Sequence, residues 1–123
     1  DRLLIELLPT GKVTVVVRGG PAINDALVED AEFSGLDKIA AVITSGVALP
    51  GTPLDRCSLE LQARFKSADL IISKGQGNYE TMSEEPGNIY FLLMCKCLVV
   101  ARQLSRELGD FAVVESRRVC AAR

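Results

Sequence analysis

Short apolar runs alternate with amphipathic stretches along the chain. The runs are rich in Val, Ile, Leu and Phe, and they predict buried strands over residues 13–17, 39–43, 70–72, 89–95 and 111–114. The amphipathic stretches between them predict helices over residues 1–8, 24–33, 54–66 and 98–108. The run Val13–Val17 is continuous and largely β-branched, which is typical of a strand covered on both faces.

Strands that alternate with helices predict an α/β fold. We expect a three-layer, mostly parallel sheet with helices on both faces, of the Rossmann-like kind. A helix at Asp1 with no cap before it is unusual, because such a domain normally opens with a strand. We therefore expect residues 1–123 to be the C-terminal part of one α/β domain, incomplete at its N-terminal side. The alternative to an incomplete domain is that the N-terminus is natural and its first residues are frayed.

Composition narrows the classes of partner and compartment. The 123 residues are 48% hydrophobic, enough for a core, and the formal net charge is −2 with both signs spread along the chain. We therefore expect no nucleic-acid partner and, without a long apolar stretch or signal peptide, no membrane partner. None of the cysteines forms a C-x-x-C pair, so we expect reduced thiols in a cytoplasmic protein. They are Cys57, Cys95, Cys97 and Cys120.

The chain has no histidine, which removes the commonest general base and most zinc chemistry. A site in this protein must use carboxylates, amides, lysine or water. Such oxygen-rich sites suit hard cations such as Mg²⁺ or Mn²⁺.

Polar loops follow the first three predicted strands, at residues 18–25, 44–46 and 73–78. Ligands of parallel α/β sheets bind at the carboxyl ends of strands, so we expect Asp25, Ser45 and Lys74 to share one ligand there. In the third loop, Lys74 offers a point charge, while Gly75 and Gly77 permit close backbone approach. This predicts a phosphate site, although the order of residues is not that of a Walker loop.

Each of these residues has a simpler interpretation. The third loop could be a solvated glycine-rich turn. Asn24 or Asp25 could be the N-cap of the following helix, without any metal. Ser45 could be a turn serine, and Arg18 could pair with a nearby carboxylate rather than take part in catalysis.

Two motifs and one strand resemble a known family. Residues 17–26, Val-Arg-Gly-Gly-Pro-Ala-Ile-Asn-Asp-Ala, and residues 73–80, Ser-Lys-Gly-Gln-Gly-Asn-Tyr-Glu, resemble the hallmarks of the damage-control phosphatase family, also called ARMT-like, in its stand-alone archaeal and bacterial branch. Residues 89–97 are similar to the strand that follows in that family. The resemblance extends over roughly residues 1–114.

The resemblance implies a metal-dependent phosphatase acting on small phosphorylated metabolites, such as sugar phosphates or damaged phosphometabolites. It implies Mg²⁺ or Mn²⁺, with Co²⁺ or Ni²⁺ as alternatives, and gives Asp25 as a metal ligand. Lys74 would contact the substrate phosphate, and Asn78, a nearby loop amide, would also bind it. The resemblance makes Lys74 and Asp25 the expected catalytic residues.

The family's Asp-Asn metal-ligand pair lies upstream of the first helix and is absent here. We therefore expect the isolated chain to be inactive, and to associate with a missing N-terminal part or with a second copy. The nucleophile is not assigned.

Two alternatives remain at this stage. One is a non-catalytic module that binds phosphometabolites. The other is a carboxyl methyltransferase-like activity, for which Gly19 and Gly20 are a weak cofactor motif because the G-x-G-x-x-G spacing is missing.

Overall fold

The computed structural model describes residues 2–9 and 11–116. Helices alternate with strands, and both parallel and antiparallel pairs of strands occur. The chain divides into two compact units, which are described separately here. The first unit extends to Pro50 and includes Leu54–Ala63, and the second unit contains Gly51–Pro53 and the chain from Arg64 onward.

The first unit is built around two parallel strands. Strand β1 pairs with strand β2 so that Val15 lies opposite Val42 and Val17 lies opposite Thr44. The helical segments are short, and the boundary between the units falls within α3. The elements are α1 (Arg2–Glu6), β1 (Thr14–Val17), α2 (Val28–Phe33), a 3₁₀ turn (Leu36–Lys38), β2 (Ala41–Thr44), a second 3₁₀ turn (Leu54–Arg56) and α3 (Leu59–Ser67).

The core of the first unit lies on one face of these strands. Val17, Ala31 and Leu36 are buried together, and partly buried apolar side chains surround them. These are Ile5, Val15, Val28, Ile39 and Val42. Val16 is 42% exposed, so the expectation that β1 is covered on both faces is wrong. Successive side chains of a strand point to opposite faces, and here one face carries the core.

The helix predicted over residues 24–33 begins only at Val28. Neither Asn24 nor Asp25 is its N-cap, because Leu27 occupies that position and its N–H donates to Asp30 Oδ2 at 2.8 Å. Residues 22–25 instead form a turn, in which the Asp25 N–H donates to the Ala22 carbonyl at 3.0 Å. The carboxylate of Asp25 is used elsewhere, as described below.

The second unit contains a three-stranded sheet with the order β3-β4-β5. Strands β3 and β4 are parallel, and β5 runs antiparallel to β4 with Val114 opposite Phe91. The parallel pairs confirm the predicted α/β class, and β5 is the antiparallel exception. The elements of this unit, after α3, are β3 (Ile71–Lys74), α4 (Gln76–Met82), β4 (Ile89–Met94), α5 (Leu98–Gln103) and β5 (Phe111–Glu115).

Strand β4 carries the core of the second unit. Ile89, Phe91 and Leu93 alternate with less buried residues and are almost completely inaccessible to solvent. The ring of Tyr79, on α4, meets the Phe91 ring edge to face with centroids 5.3 Å apart, a favoured aromatic geometry. Helix α4 therefore packs directly against the central strand of its sheet.

Helix α4 is the largest departure from the sequence-based expectation, which placed a loop through Asn78. Strand β3 continues to Lys74, and the helix begins at Gln76. Glycine disfavours helix by about 1 kcal/mol, so Gly77 argued against a helix here. The helix forms nevertheless, and Gly77 lies against the backbone of Gly51, as described below.

Smaller differences concern the ends of elements. The helix predicted over 54–66 is a 3₁₀ turn followed by α3, and Ser58 Oγ accepts from the Leu61 N–H at 3.2 Å at the helix start. The helix predicted over 98–108 ends at Gln103, and Gly109 lies in the turn before β5. Asp1 of the first predicted helix and Cys120 lie outside the described residues.

Two further expectations bear on the cell compartment. The described cysteines, Cys57, Cys95 and Cys97, form no disulfide. No helix within residues 2–9 and 11–116 is both long and apolar enough to cross a membrane.

Candidate functional site

Lys74 ends strand β3 at the carboxyl edge of the second unit's sheet. Its Cα lies in register with Leu92 of β4, and its side chain is exposed. The next residue continues the ladder, because the Gly75 N–H donates to the Leu92 carbonyl at 2.9 Å. The Gly75 N–H is therefore already engaged, and binding of phosphate by Lys74 stays a prediction.

The two glycines after Lys74 have different roles. Gly75 has a φ of +94°, a left-handed conformation that a side chain would strain, and a Cβ there would meet nothing within 4 Å. Gly77 lies in the first turn of α4, where the backbone of Gly51 closely approaches it. A Cβ on Gly51 would lie 2.5 Å from the Gly77 carbonyl oxygen. Close packing therefore requires a glycine at position 51, whereas a Cβ on Gly77 would lie 3.4 Å from the Gly51 nitrogen, an ordinary contact. Phosphate binding by Gly75 or Gly77 stays a prediction.

Asn78 has both ends of its amide engaged within the second unit. Its Nδ2 donates to the Lys74 carbonyl at 2.7 Å, and its Oδ1 accepts from the Thr52 hydroxyl at 2.8 Å. The side chain therefore links the turn after β3 to the segment Gly51–Pro53. Binding of phosphate by Asn78 was predicted from the family resemblance and stays untested.

Other polar residues near Lys74, which had no predicted role at the site, also have defined partners. The Thr52 N–H donates to Thr81 Oγ1 at 2.8 Å. Gln76 donates to Glu80 Oε1 at 2.8 Å and accepts from the Lys96 N–H at 2.7 Å, which ties α4 to the loop after β4. Glu80 lies one helical turn after Gln76, but the Thr52–Thr81 and Gln76–Lys96 bonds join residues that are far apart along the chain. The amphipathic pattern contains no signal for those two bonds.

Ser45 lies at the carboxyl end of β2 in the first unit and is completely buried. Its hydroxyl donates to the Val47 carbonyl at 3.0 Å and accepts from the Gly19 N–H at 3.1 Å. This geometry favours the turn-serine interpretation, since the hydroxyl joins the loops after β1 and β2. Contact between Ser45 and substrate stays a prediction.

Asp25 forms an ion pair with Arg18, at the end of β1. Arg18 Nε donates to Asp25 Oδ2 at 2.6 Å, and the Arg18 side chain is only 10% exposed against 38% for Asp25. The backbone closes the same loop, because the Arg18 N–H donates to the Ala26 carbonyl at 2.9 Å. The pair therefore orders the polar loop between β1 and α2.

The described residues do not by themselves form a divalent-cation site. Among residues 2–9 and 11–116 there is no group of three or more Asp, Glu, Cys or His side chains arranged to hold a metal ion. One oxygen of Asp25 is also engaged by a guanidinium. Mg²⁺ requires several oxygen ligands, so this carboxylate alone does not fit it.

The glycines proposed for a methyltransferase cofactor have another explanation. A Cβ on Gly19 would lie 2.5 Å from the Val47 backbone nitrogen, and one on Gly20 would lie 3.0 Å from the Ala48 Cβ. These glycines allow the loops after β1 and β2 to pack together. The motif therefore gives no support for a bound cofactor.

Cys57 lies beside this loop in the first unit. Burial raises the pKa of its thiol above the ordinary value, and Asp55 adds to that shift while the positive charge of Arg18 opposes it. The thiol is therefore protonated at neutral pH and acts as a buried apolar group.

The predicted site residues fall into two local sets. Asp25 and Ser45 belong to the first unit, and the set around Lys74 belongs to the second. Sharing of one ligand by Asp25, Ser45 and Lys74 stays a prediction.

The chain belongs to the class of α/β proteins with parallel strands, whose ligands commonly bind at the carboxyl ends of the strands. The particular family is shown by its model, described as the damage-control phosphatase ARMT1-like domain, which matches residues 1–111. The chain belongs to this family, as the resemblance predicted.

Relatives from archaea agree with this assignment. The chain is 41% identical over 121 residues to a damage-control phosphatase of Pyrococcus horikoshii, covering 95% of this chain and 42% of that protein. It is 43% identical over 103 residues to a damage-control phosphatase of Archaeoglobus fulgidus, covering 80% and 35% respectively. The chain thus spans well under half the length of these relatives.

A solved structure supports the fold directly. The crystal structure of a DUF89 family protein from Pyrococcus horikoshii matches with a TM-score of 0.88 and 42% sequence identity. The match covers 94% of this chain and 42% of that one. The α/β fold is therefore that of the family.

Proposed function

We propose that the protein carrying this chain is a phosphatase that hydrolyses small, damaged phosphorylated metabolites. The observation that supports this most is the family match over residues 1–111, which includes the turn where β3 delivers Lys74 to the sheet edge. Relatives that bear the name damage-control phosphatase add support. Sugar phosphates are the substrate class that we propose to test first.

Lys74 is the residue that we propose for phosphate binding. Its ammonium group would hold the non-bridging oxygens of the phosphoryl group and offset their charge as it develops in the transition state. A point charge on a flexible stem suits this task, provided that the backbone at the strand end is well ordered.

We also propose that the full-length protein depends on a divalent cation, Mg²⁺ or Mn²⁺, with Co²⁺ or Ni²⁺ as substitutes. When bound, such a cation would polarise a phosphoryl oxygen. Asp25 would be this chain's ligand, and the other ligands would have to come from elsewhere in the protein.

The test of the lysine uses the full-length protein that carries this sequence and a panel of sugar phosphates. Lys74→Ala should lower turnover by about 10²-fold, because one electrostatic donor to the developing charge is lost. Mn²⁺ affinity should change little, since the lysine contacts phosphate and not the cation. Lys38→Ala, which removes an exposed lysine of the first unit, is the matched control. Unchanged activity of Lys74→Ala would reject the role.

A non-catalytic, phosphate-binding role is the second candidate, because the described residues lack a group of metal ligands. Calorimetric Mn²⁺ titration and a phosphate-release assay on the 123-residue chain address it. We expect weak Mn²⁺ binding and no turnover from this chain. Micromolar affinity with robust turnover would contradict the view that ligands from outside the chain are needed. A full-length protein that binds sugar phosphates without turnover in any metal would favour the binding module.

A further inference from the structure

We infer that Asn78 is a positioning residue for Lys74: it orders the turn that carries the lysine and does not itself bind phosphate. The inference rests on the proposed phosphatase function. It assigns to Asn78 a role other than the loop amide that the family resemblance implied.

The amide of Asn78 connects two segments that are far apart along the chain. At one end, Nδ2 donates to the Lys74 carbonyl four residues earlier, at 2.7 Å. At the other end, Oδ1 accepts from the Thr52 hydroxyl 26 residues earlier, at 2.8 Å. A planar amide with a partner at each end has a defined rotamer, so the Lys74 carbonyl has a defined direction.

Thr52 is itself held in place, so the Asn78 amide is bonded to a well-ordered residue. It is 8% exposed, and its N–H donates to Thr81 Oγ1 at 2.8 Å. The Thr81 hydroxyl in turn donates to the Gly77 carbonyl at 3.0 Å. The segment Gly51–Pro53 and the first turns of α4 therefore form a closed set of hydrogen bonds around Asn78.

The turn at Lys74 needs these hydrogen bonds because side-chain packing does little to hold it in place. A Cβ at Gly75 would have no neighbour within 4 Å, and its φ of +94° belongs to a region that glycine leaves easily. On the strand side, the Gly75 N–H is bonded to the Leu92 carbonyl. On the helix side, Asn78 supplies the bond to Lys74. Loss of this bond would let the start of the lysine stem shift.

The primary experiment compares two asparagines of the second unit in the full-length protein. Asn78→Ala should lower kcat/KM for a sugar phosphate roughly 10-fold, less than the ~10²-fold that a 1 Å misplacement can cost. Asn88→Ala is the matched control, because Asn88 Nδ2 also donates to a backbone carbonyl, that of Asp69, at 3.0 Å. Asn88 precedes β4 and Asp69 precedes β3, so this bond lies at the amino ends of these strands, opposite to the end that carries Lys74. Its loss should leave kcat/KM within 2-fold of wild type.

A double-mutant cycle separates positioning from direct contact. If Asn78 acts through Lys74, Asn78→Ala should have little further effect on kcat/KM in a Lys74→Ala background. A full additional 10-fold loss in that background would show direct contact with phosphate and overturn the inference. Thr52→Val, which removes the hydroxyl that orients the amide, should cause a smaller loss of about 3-fold and serves if Asn78→Ala does not fold.

The outcomes also distinguish this inference from the proposed function. Wild-type protein without turnover on any sugar phosphate or metal would refute the function, and the inference with it. Active wild type with an unaffected Asn78→Ala variant would refute the inference alone.

Discussion

Gly51 offers the sharpest test of the tertiary structure, because its substitution adds a side chain at a close contact. Its φ is +71°, and a Cβ there would lie 2.5 Å from the Gly77 carbonyl oxygen and 2.6 Å from Thr81 Cγ2. Gly11 has nearly the same φ, +77°, with nothing within 4 Å of the added atom. The two alanine variants therefore differ mainly in what the added methyl group contacts, and hardly in backbone strain.

The magnitude follows from these two contributions. A left-handed alanine costs roughly 1–2 kcal/mol, and its smaller unfolded-state entropy offsets about 0.5–1 kcal/mol of this. We therefore expect Gly11→Ala to lower the free energy of unfolding by about 1 kcal/mol. Gly51→Ala adds overpacking of about 1–3 kcal/mol against backbone, so we expect about 3 kcal/mol in total.

Urea denaturation and thermal melting of the full-length protein measure this difference. At about 2 °C per kcal/mol, the scale for a protein as long as the relatives, Tm should fall by about 2 °C for Gly11→Ala and about 6 °C for Gly51→Ala. Equal losses for the two variants would show that Gly51 does not approach Gly77. That result would also weaken the support that Thr52 gives to Asn78.

Two further expectations concern the first unit. Arg18→Gln should lower the free energy of unfolding by about 2 kcal/mol, because it removes a charge-assisted bond to a partly exposed carboxylate. Arg2 forms an exposed ion pair with Glu6, so Arg2→Gln should change the free energy of unfolding by less than about 0.5 kcal/mol. The same denaturation assay measures both variants. The Cys57 thiol should react with iodoacetamide more slowly than Cys97 at pH 8, measured by peptide mass spectrometry, because burial raises its pKa. The folded state then binds the Cys57 proton more tightly than the unfolded state, so stability should be lost as pH rises above the ordinary thiol pKa. Faster labelling of Cys57, or equal losses for the two arginine variants, would contradict these expectations.

Local sequence patterns were sufficient for the strands and the fold class. The β-branched run that ends at Val17 and the apolar run that begins at Ile89 form strands, each with one end shifted by one residue. Such runs are determined by short-range chemistry, because a strand of four to six residues needs little more than β-branched or aromatic side chains and a turn on each side. The position of Lys74 at the end of a strand followed from the same pattern.

Long-range contacts decided what the polar residues do. Position 51 requires a glycine because the Gly77 carbonyl and Thr81 approach it, and Asn78 links two segments because Thr52, 26 residues earlier, lies beside it. Asp25 was expected to be a metal ligand or, in the simpler interpretation, a helix cap, and its carboxylate is bonded to Arg18. The sequence allowed Arg18 several carboxylate partners, and the fold selected Asp25 among them. The sequence by itself determined where strands form and that polar residues follow them, because both features depend on neighbours in the chain. Only the tertiary structure decided the partner of each amide and carboxylate, because a hydrogen bond depends on distance in space and not on separation in sequence.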